Sequence, residues 1–135
     1  MWPFGKKKEG RFVDRKAFER NLASQTTMAP QTVEQLHKAG MRPKALLRIE
    51  YFFYAAAASN GEALARDLLA KGYSAECRPA ADGSPLYCIT GWTVPFAIDA
   101  AAATAWTDEM CRLAYDHDCE FDGWGTNPHQ PDLQN

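Results

Sequence analysis

The sequence predicts an α+β fold, and two observations support this prediction. From Ala45 onward, runs rich in aliphatic and aromatic residues alternate with segments whose apolar residues have helical spacing. An Asp-Gly pair, typical of a hairpin, separates the second and third of these runs. The resulting order, β-α-β-β-α-β, predicts a ferredoxin-like βαββαβ sandwich, in which a four-stranded antiparallel sheet carries two helices on one face.

An N-terminal helical extension is predicted before this sheet. Asp14 is a candidate N-cap for a short helix that carries Phe18 on its apolar face. The apolar pattern breaks at residues 26–29, and Thr32 then begins a predicted capping box for a second helix. Gly40 is expected to end that second helix, because glycine readily adopts the left-handed conformation that often follows a helix.

These patterns divide the 135 residues into three predicted parts. Residues 1–29 form a basic extension that is partly flexible or helical, residues 30–126 form the α+β domain, and residues 127–135 form a polar tail. The formal charge of −2 is unevenly distributed, since residues 1–48 carry 11 basic and 4 acidic side chains, whereas residues 49–135 carry 4 and 13. An acidic body and a basic arm favour different partners.

The first strand is predicted between Leu46 and Tyr54, and its side chains alternate between two faces. The odd-numbered positions are apolar or aromatic and are expected in the core: Leu47, Ile49, Tyr51 and Phe53. The even-numbered positions include charge and aromatic surface, and they are expected to meet solvent or a partner: Leu46, Arg48, Glu50, Phe52 and Tyr54.

The remaining elements are predicted from caps and turns. Ser59 or Asn60 is expected to cap the helix that follows the first strand, and Gly72 is expected to end it. Asp82-Gly83 is expected to form a two-residue hairpin turn. Pro95 is expected at the first position of the last helix, where its missing amide hydrogen costs nothing.

Four cysteines lie too far apart in the sequence to form the close ligand pairs of a structural zinc site: Cys77, Cys88, Cys111 and Cys119. A two-residue turn at Asp82-Gly83 would place Cys77 opposite Cys88, so a disulfide between them is geometrically conceivable. Reduced thiols that pack in the interior are the favoured interpretation, because a cytoplasmic location would keep them reduced.

No pattern in the sequence indicates an enzyme, a metal site or a bound cofactor. The run His117-Asp118-Cys119 contains a thiol beside an imidazole, but neighbouring side chains point in different directions, which favours structural roles. Residues 1–8 place apolar residues before the lysines, the reverse of a secretory signal, so none is expected, and no apolar run is long enough to span a bilayer. We therefore expect a cytoplasmic protein.

The even-numbered face of the first strand belongs to the predicted binding surface. Acidic side chains there would steer basic protein segments, and aromatic side chains would anchor them. The candidate acids are Glu50, Glu76, Glu120 and Asp122. The candidate anchors are Phe52, Tyr54, Trp92 and Trp124.

Two other functions remain open from the sequence. RNA-binding domains of the ferredoxin-like class stack bases on sheet aromatics, and the basic residues 1–26 could contact phosphates, although an acidic sheet face would repel them. An immunity-type protein that neutralises a basic partner would also suit an acidic domain.

The run Glu120-Phe121-Asp122-Gly123-Trp124-Gly125-Thr126 resembles the closing motif of the regulator of ribonuclease activity B family, the ribonuclease E inhibitors. The resemblance extends over roughly residues 30–126 and implies a ferredoxin-like fold. It also implies a non-catalytic protein that binds ribonuclease E, or proteins docked on it, and restrains its RNA processing. The expected target is a basic, largely disordered region of that enzyme. Position by position, the motif adds Gly123, Gly125 and Thr126 to the candidate partner-binding residues.

Overall fold

The computed structural model describes residues 10–130, so the first nine residues of the predicted extension and the last five of the predicted tail lie outside the described part. Three helices and six strands occur within residues 10–130. They are α1 (Arg15–Lys38), β1 (Leu46–Leu47), β2 (Glu50–Ala55), α2 (Ala58–Ala70), β3 (Glu76–Pro79), β4 (Tyr87–Trp92), β5 (Phe96–Ala97), α3 (Ala100–Asp116) and β6 (Cys119–Gly125).

The main sheet has four antiparallel strands in the order β3-β4-β2-β6, and β1 and β5 form a separate two-stranded pair. The predicted α+β class and the four-stranded antiparallel sheet are therefore confirmed. With β2 in the interior of the sheet and α2 and α3 as the connections, this strand order is compatible with a ferredoxin-like sandwich.

The core lies on the side of the sheet that faces α2 and α3. Tyr51 and Phe53 of β2, Ile89 of β4 and Phe121 of β6 each have 0 % of their surface exposed. Because side chains alternate along a strand, the burial of the odd-numbered residues of β2 leaves the even-numbered ones on the opposite face. The predicted single strand over Leu46–Tyr54 is wrong, because Leu46–Leu47 pair with β5 in a separate sheet and β2 begins at Glu50. Within β2 the predicted division into two faces is confirmed, and we call the second face the open face.

Helix α1 is a single helix of 24 residues, so the predicted break at residues 26–29 is wrong. Its N-cap is Asp14, as predicted, and the Asp14 carboxylate accepts a hydrogen bond from the Ala17 amide at 2.8 Å. The predicted capping box is also wrong, because Thr32 lies in mid-helix. Pro30 removes one helical hydrogen bond, but the burial of Ala29 and Val33 stabilises the continuous helix.

Helix α1 packs along α3 and beside β6, at one edge of the sheet. The Asn21 side-chain amide donates a hydrogen bond to the Phe121 carbonyl oxygen at 2.9 Å, which satisfies one main-chain acceptor of this edge strand. Phe18 is 7 % exposed and stacks on Tyr115 of α3 with 4.5 Å between the ring centroids. A large part of the segment predicted as an extension is therefore part of the folded body.

The hairpin between β3 and β4 differs from the predicted register by one residue, because Cys77 pairs with Ile89 instead of Cys88. Its loop is longer than two residues, and the Asp82 carboxylate accepts a hydrogen bond from the Ser84 amide at 2.9 Å within it. A one-residue shift reverses the face to which a side chain points. The two cysteines thus lie on opposite faces, and the predicted cross-strand pairing of their thiols is wrong.

Two predicted helix starts are also corrected. Helix α2 begins at Ala58, and its N-cap Ala57 forms no side-chain capping bond, so neither Ser59 nor Asn60 caps it. Helix α3 begins at Ala100, where the Asp99 carboxylate accepts from the Ala102 amide at 2.7 Å. Pro95 instead precedes β5, whose pairing with β1 delays the start of the helix.

Candidate partner-binding face

The run His117-Asp118-Cys119 has structural roles in this fold. His117 ends α3, and its Nε2 lies 2.6 Å from the Asp67 carboxylate of α2. The Asp118 carboxylate accepts hydrogen bonds from the amides of Phe12 and Val13 at 2.9 and 2.8 Å, which fixes the segment before α1. Burial raises the pKa of the Cys119 thiol to about 12, so this thiol is protonated and unreactive at neutral pH.

Two further features of residues 10–130 concern metal binding and membrane insertion. No group of three or more His, Cys, Asp or Glu side chains in this range is arranged to hold a metal ion. None of the helices in the same range is both long and apolar enough to cross a bilayer.

The open face brings together the candidate acids and three of the four candidate aromatic anchors. Phe52 and Tyr54 lie along β2, opposite Thr90 and Cys88 of β4, and both aromatic side chains are half-buried. The acids on this face are Glu50 of β2, Glu76 of β3, and Glu120 and Asp122 of β6. Trp92, 38 % exposed, pairs with Glu50 at one end of the face.

The acids of β6 lie in a partly desolvated environment. Burial, with a smaller contribution from the Asp122 charge, raises the pKa of Glu120 above its ordinary value. Burial also raises the pKa of Asp122. On β3, by contrast, Glu76 has a cation nearby, because its carboxylate lies 3.4 Å from the Arg78 guanidinium. The β6 end of the open face therefore carries negative charge that a cationic partner would stabilise.

A bulge in β6 exposes one of these acids. Phe52 pairs with Gly123 and Phe53 pairs with Phe121, so Asp122 is the additional residue that has no partner on β2. Gly123 has a φ of +135°, a backbone conformation that residues with a Cβ atom rarely adopt. The Asp-Gly pair of the closing motif thus has a geometric explanation, because the bulge needs glycine after the exposed aspartate.

The remaining residues of the motif hold β6 in place. The bulge turns Trp124 to the helix side of the sheet, where its ring meets Trp106 of α3 nearly perpendicularly with 6.4 Å between centroids. The Thr126 hydroxyl donates to the Arg48 carbonyl oxygen at 2.5 Å. Gly125 pairs with Glu50, and a Cβ there would meet no atom within 4 Å. Trp124 therefore packs against α3, and Gly125 and Thr126 lie at the end of the strand.

Comparison with known proteins agrees with this motif. The family model described as Regulator of ribonuclease activity B matches residues 27–126. The chain belongs to this family. A family member from Photobacterium profundum, named regulator of ribonuclease activity B, is 29 % identical over 100 residues, which cover 70 % of this chain and 73 % of the relative. The family match begins inside α1, close to the predicted domain start at residue 30.

In this member of the regulator of ribonuclease activity B family, α1 also contributes residues that are not among the predicted site residues. A cavity of about 340 Å³ lies between α1 and the bulged end of the open face. Gln25, Met28 and Thr32 line it from the helix. Their spacing of three and four residues is the signal for one helical face, whereas the predicted break at residues 26–29 assigns Gln25 and Thr32 to different helices.

Neutral variants of the two β6 acids test their environment. Folding raises the pKa of Glu120 and Asp122, so ionisation of these carboxyl groups disfavours the folded state. This loss of folding free energy develops as the pH rises from their ordinary pKa values of 4.5 and 3.8 through the higher pKa values of the folded state. Glu120→Gln with Asp122→Asn is expected to raise the free energy of unfolding at pH 7 by up to about 1 kcal/mol, since solvent screens partly exposed charges. Urea denaturation at several pH values measures this. A gain as large at pH 3 as at pH 7 would contradict the prediction.

Proposed function

We propose that this protein is a non-catalytic regulator that binds a ribonuclease of the ribonuclease E type and restrains its processing of RNA. Membership of the regulator of ribonuclease activity B family supports a ribonuclease as the target. The observation that carries the proposal is the open face, where half-buried Phe52 and Tyr54 lie among carboxylates. We further propose that the protein acts in the cytoplasm.

A basic, flexible protein segment is the partner chemistry that suits this face. Lysine and arginine side chains would approach Glu50, Glu120 and Asp122, and their charge would relieve the desolvated carboxylates of β6. Charge attraction acts at long range, and Phe52 and Tyr54 would add apolar contact area once the partner is bound. Regulation then follows from occupying a surface of the enzyme or of a protein bound to it, and the regulator needs no reactive group.

A binding titration with the ribonuclease E of the same organism tests the proposal. Saturable binding at low salt is expected, with an association rate that falls as salt increases, because exposed charges steer the encounter. In parallel, cleavage of a model RNA by the enzyme should slow when the protein is added. No binding at low salt together with unchanged cleavage would refute the proposed function.

Direct RNA binding by the basic N-terminal segment is the alternative, and the fold changes how it is tested. Removing residues 1–26 would delete Val13 and Phe18, which are 3 % and 7 % exposed, and would damage the core. Removing residues 1–9 deletes none of the residues that form the described elements. RNA binding that disappears with residues 1–9 while ribonuclease binding persists would assign a second, separate role to that segment.

A further inference from the structure

The cavity between α1 and the bulge of β6, which we call the α1–β6 groove, contains an unusual polar side chain. Gln25 is 9 % exposed and lines the groove. Among residues 10–130, no atom forms a hydrogen bond with its side-chain amide. The amide is not among the fully buried unpaired atoms of these residues, so it opens into the groove, where a ligand can complete its hydrogen bonds.

The other walls of the groove indicate the charge and shape of that group. Asp122 supplies a carboxylate and Phe52 supplies aromatic surface, and Trp124 also borders the groove. The Thr32 hydroxyl donates to the Met28 carbonyl oxygen at 3.2 Å, which leaves its oxygen able to accept a further hydrogen bond. Gly123 borders the groove beside Gln25, and a Cβ there would lie 4.0 Å from the Gln25 amide oxygen.

We infer that the α1–β6 groove binds the guanidinium group of an arginine side chain presented by the partner. This inference rests on the proposed function and names the partner residue that the open face recognises. The groove offers a carboxylate, an amide oxygen and a hydroxyl oxygen as acceptors, and a guanidinium has five donors in a fixed plane. Its face can also lie against Phe52, which adds a cation–π contribution.

Arginine suits these walls better than lysine. An ammonium group is a compact, strongly hydrated charge with three donors, and it has no planar face to stack on an aromatic ring. A guanidinium is more weakly hydrated, so it loses less on entering a groove that is partly shielded from water. The volume of about 340 Å³ is near the lower limit for ligand pockets, which fits one side chain.

The first test uses the intact chain and two short peptides, one of alternating arginine and glycine and one of alternating lysine and glycine. The arginine peptide is expected to bind more tightly, and its addition should shift the NMR signals of the Gln25 side-chain amide. Gln25→Met, which keeps the length but removes the amide, is expected to weaken arginine-peptide binding about ten- to hundredfold. Asp122→Asn should weaken it similarly.

A matched control separates this loss from general damage. Gln31 is exposed on the same helix and does not line the groove, so Gln31→Met should leave peptide binding unchanged. Gln25→Met is also expected to be at least as stable as the natural chain, because the Gln25 side chain is only 9 % exposed and its amide makes no hydrogen bond within residues 10–130. Equal affinity for the two peptides would overturn the inference. So would unchanged arginine-peptide binding by both Gln25→Met and Asp122→Asn.

The outcome can be separated from that of the proposed function. If ribonuclease E binds the natural chain and the Gln25→Met variant equally well, the groove is not the recognition site but the proposed function stands. If the arginine peptide binds as expected and ribonuclease E does not bind, the groove stands and the proposed target is wrong.

Discussion

Replacement of Gly91 by alanine is expected to lower the free energy of unfolding by about 3–5 kcal/mol, from overpacking and a lost buried hydrogen bond together. Gly91 lies in β4 against the Ser74 main chain, and a Cβ at this position would overlap the Ser74 carbonyl oxygen and lie 2.6 Å from the Tyr51 hydroxyl. Tyr51 is 0 % exposed and donates to that same carbonyl at 2.5 Å. Urea or guanidinium denaturation followed by circular dichroism measures the loss.

Gly125 provides the matched control for this substitution. It lies at the end of β6, has no positive φ, and a Cβ there would meet no atom within 4 Å. Gly125→Ala is therefore expected to change the free energy of unfolding by less than about 1 kcal/mol. Similar losses at both positions would show that the close approach at Gly91 is not the cause.

Reversal of two charges on the open face is expected to have the largest effect on binding. Glu50→Lys with Asp122→Lys should weaken ribonuclease E binding at least about tenfold at low salt, with a smaller ratio at high salt, because like charges then face the basic partner. Both side chains lie on the strands that form the open face, and Asp122 is exposed at the bulge. Isothermal titration calorimetry or surface plasmon resonance at two salt concentrations measures the change.

Charge reversal away from the open face is the control. Glu62 of α2 and Asp116 of α3 are exposed, and neither forms a salt bridge within residues 10–130. Glu62→Lys with Asp116→Lys changes the net charge by the same amount but leaves the open face unaltered. If both double variants fold and bind with equal affinity, overall charge matters and the open face is the wrong surface.

The alternation of β2 was predictable because a strand has a period of two whatever surrounds it. The burial of Tyr51 and Phe53, and the position of Phe52 and Tyr54 on the other face, follow directly from that period. The same rule fails in β6, where the bulge at Asp122 reverses the faces beyond it. Trp124 therefore packs on the helix side, although a regular strand would have placed it beside Asp122.

The α1–β6 groove was not predictable from local sequence. Pro30 costs about 3 kcal/mol in a helix interior, so local preference favours a break before it. What holds α1 together is its packing on α3 and β6, including the burial of Ala29 and Val33, and that depends on the whole fold. Without a continuous helix, nothing in the sequence predicts that Gln25 lies near Asp122.

The edges of the main sheet constrain how a partner can be recognised. At β6, α1 runs beside the strand and Asn21 already holds the Phe121 carbonyl oxygen. At β3, the last residue is Pro79, which has no amide hydrogen, and charged side chains flank the strand. Neither edge favours β-augmentation, in which a partner adds a strand to the sheet through main-chain hydrogen bonds. Recognition would therefore depend on the partner's side chains. A proline-rich segment, whose main chain has few donors, would then be as acceptable as any other, provided that its basic residues are spaced to reach the open face.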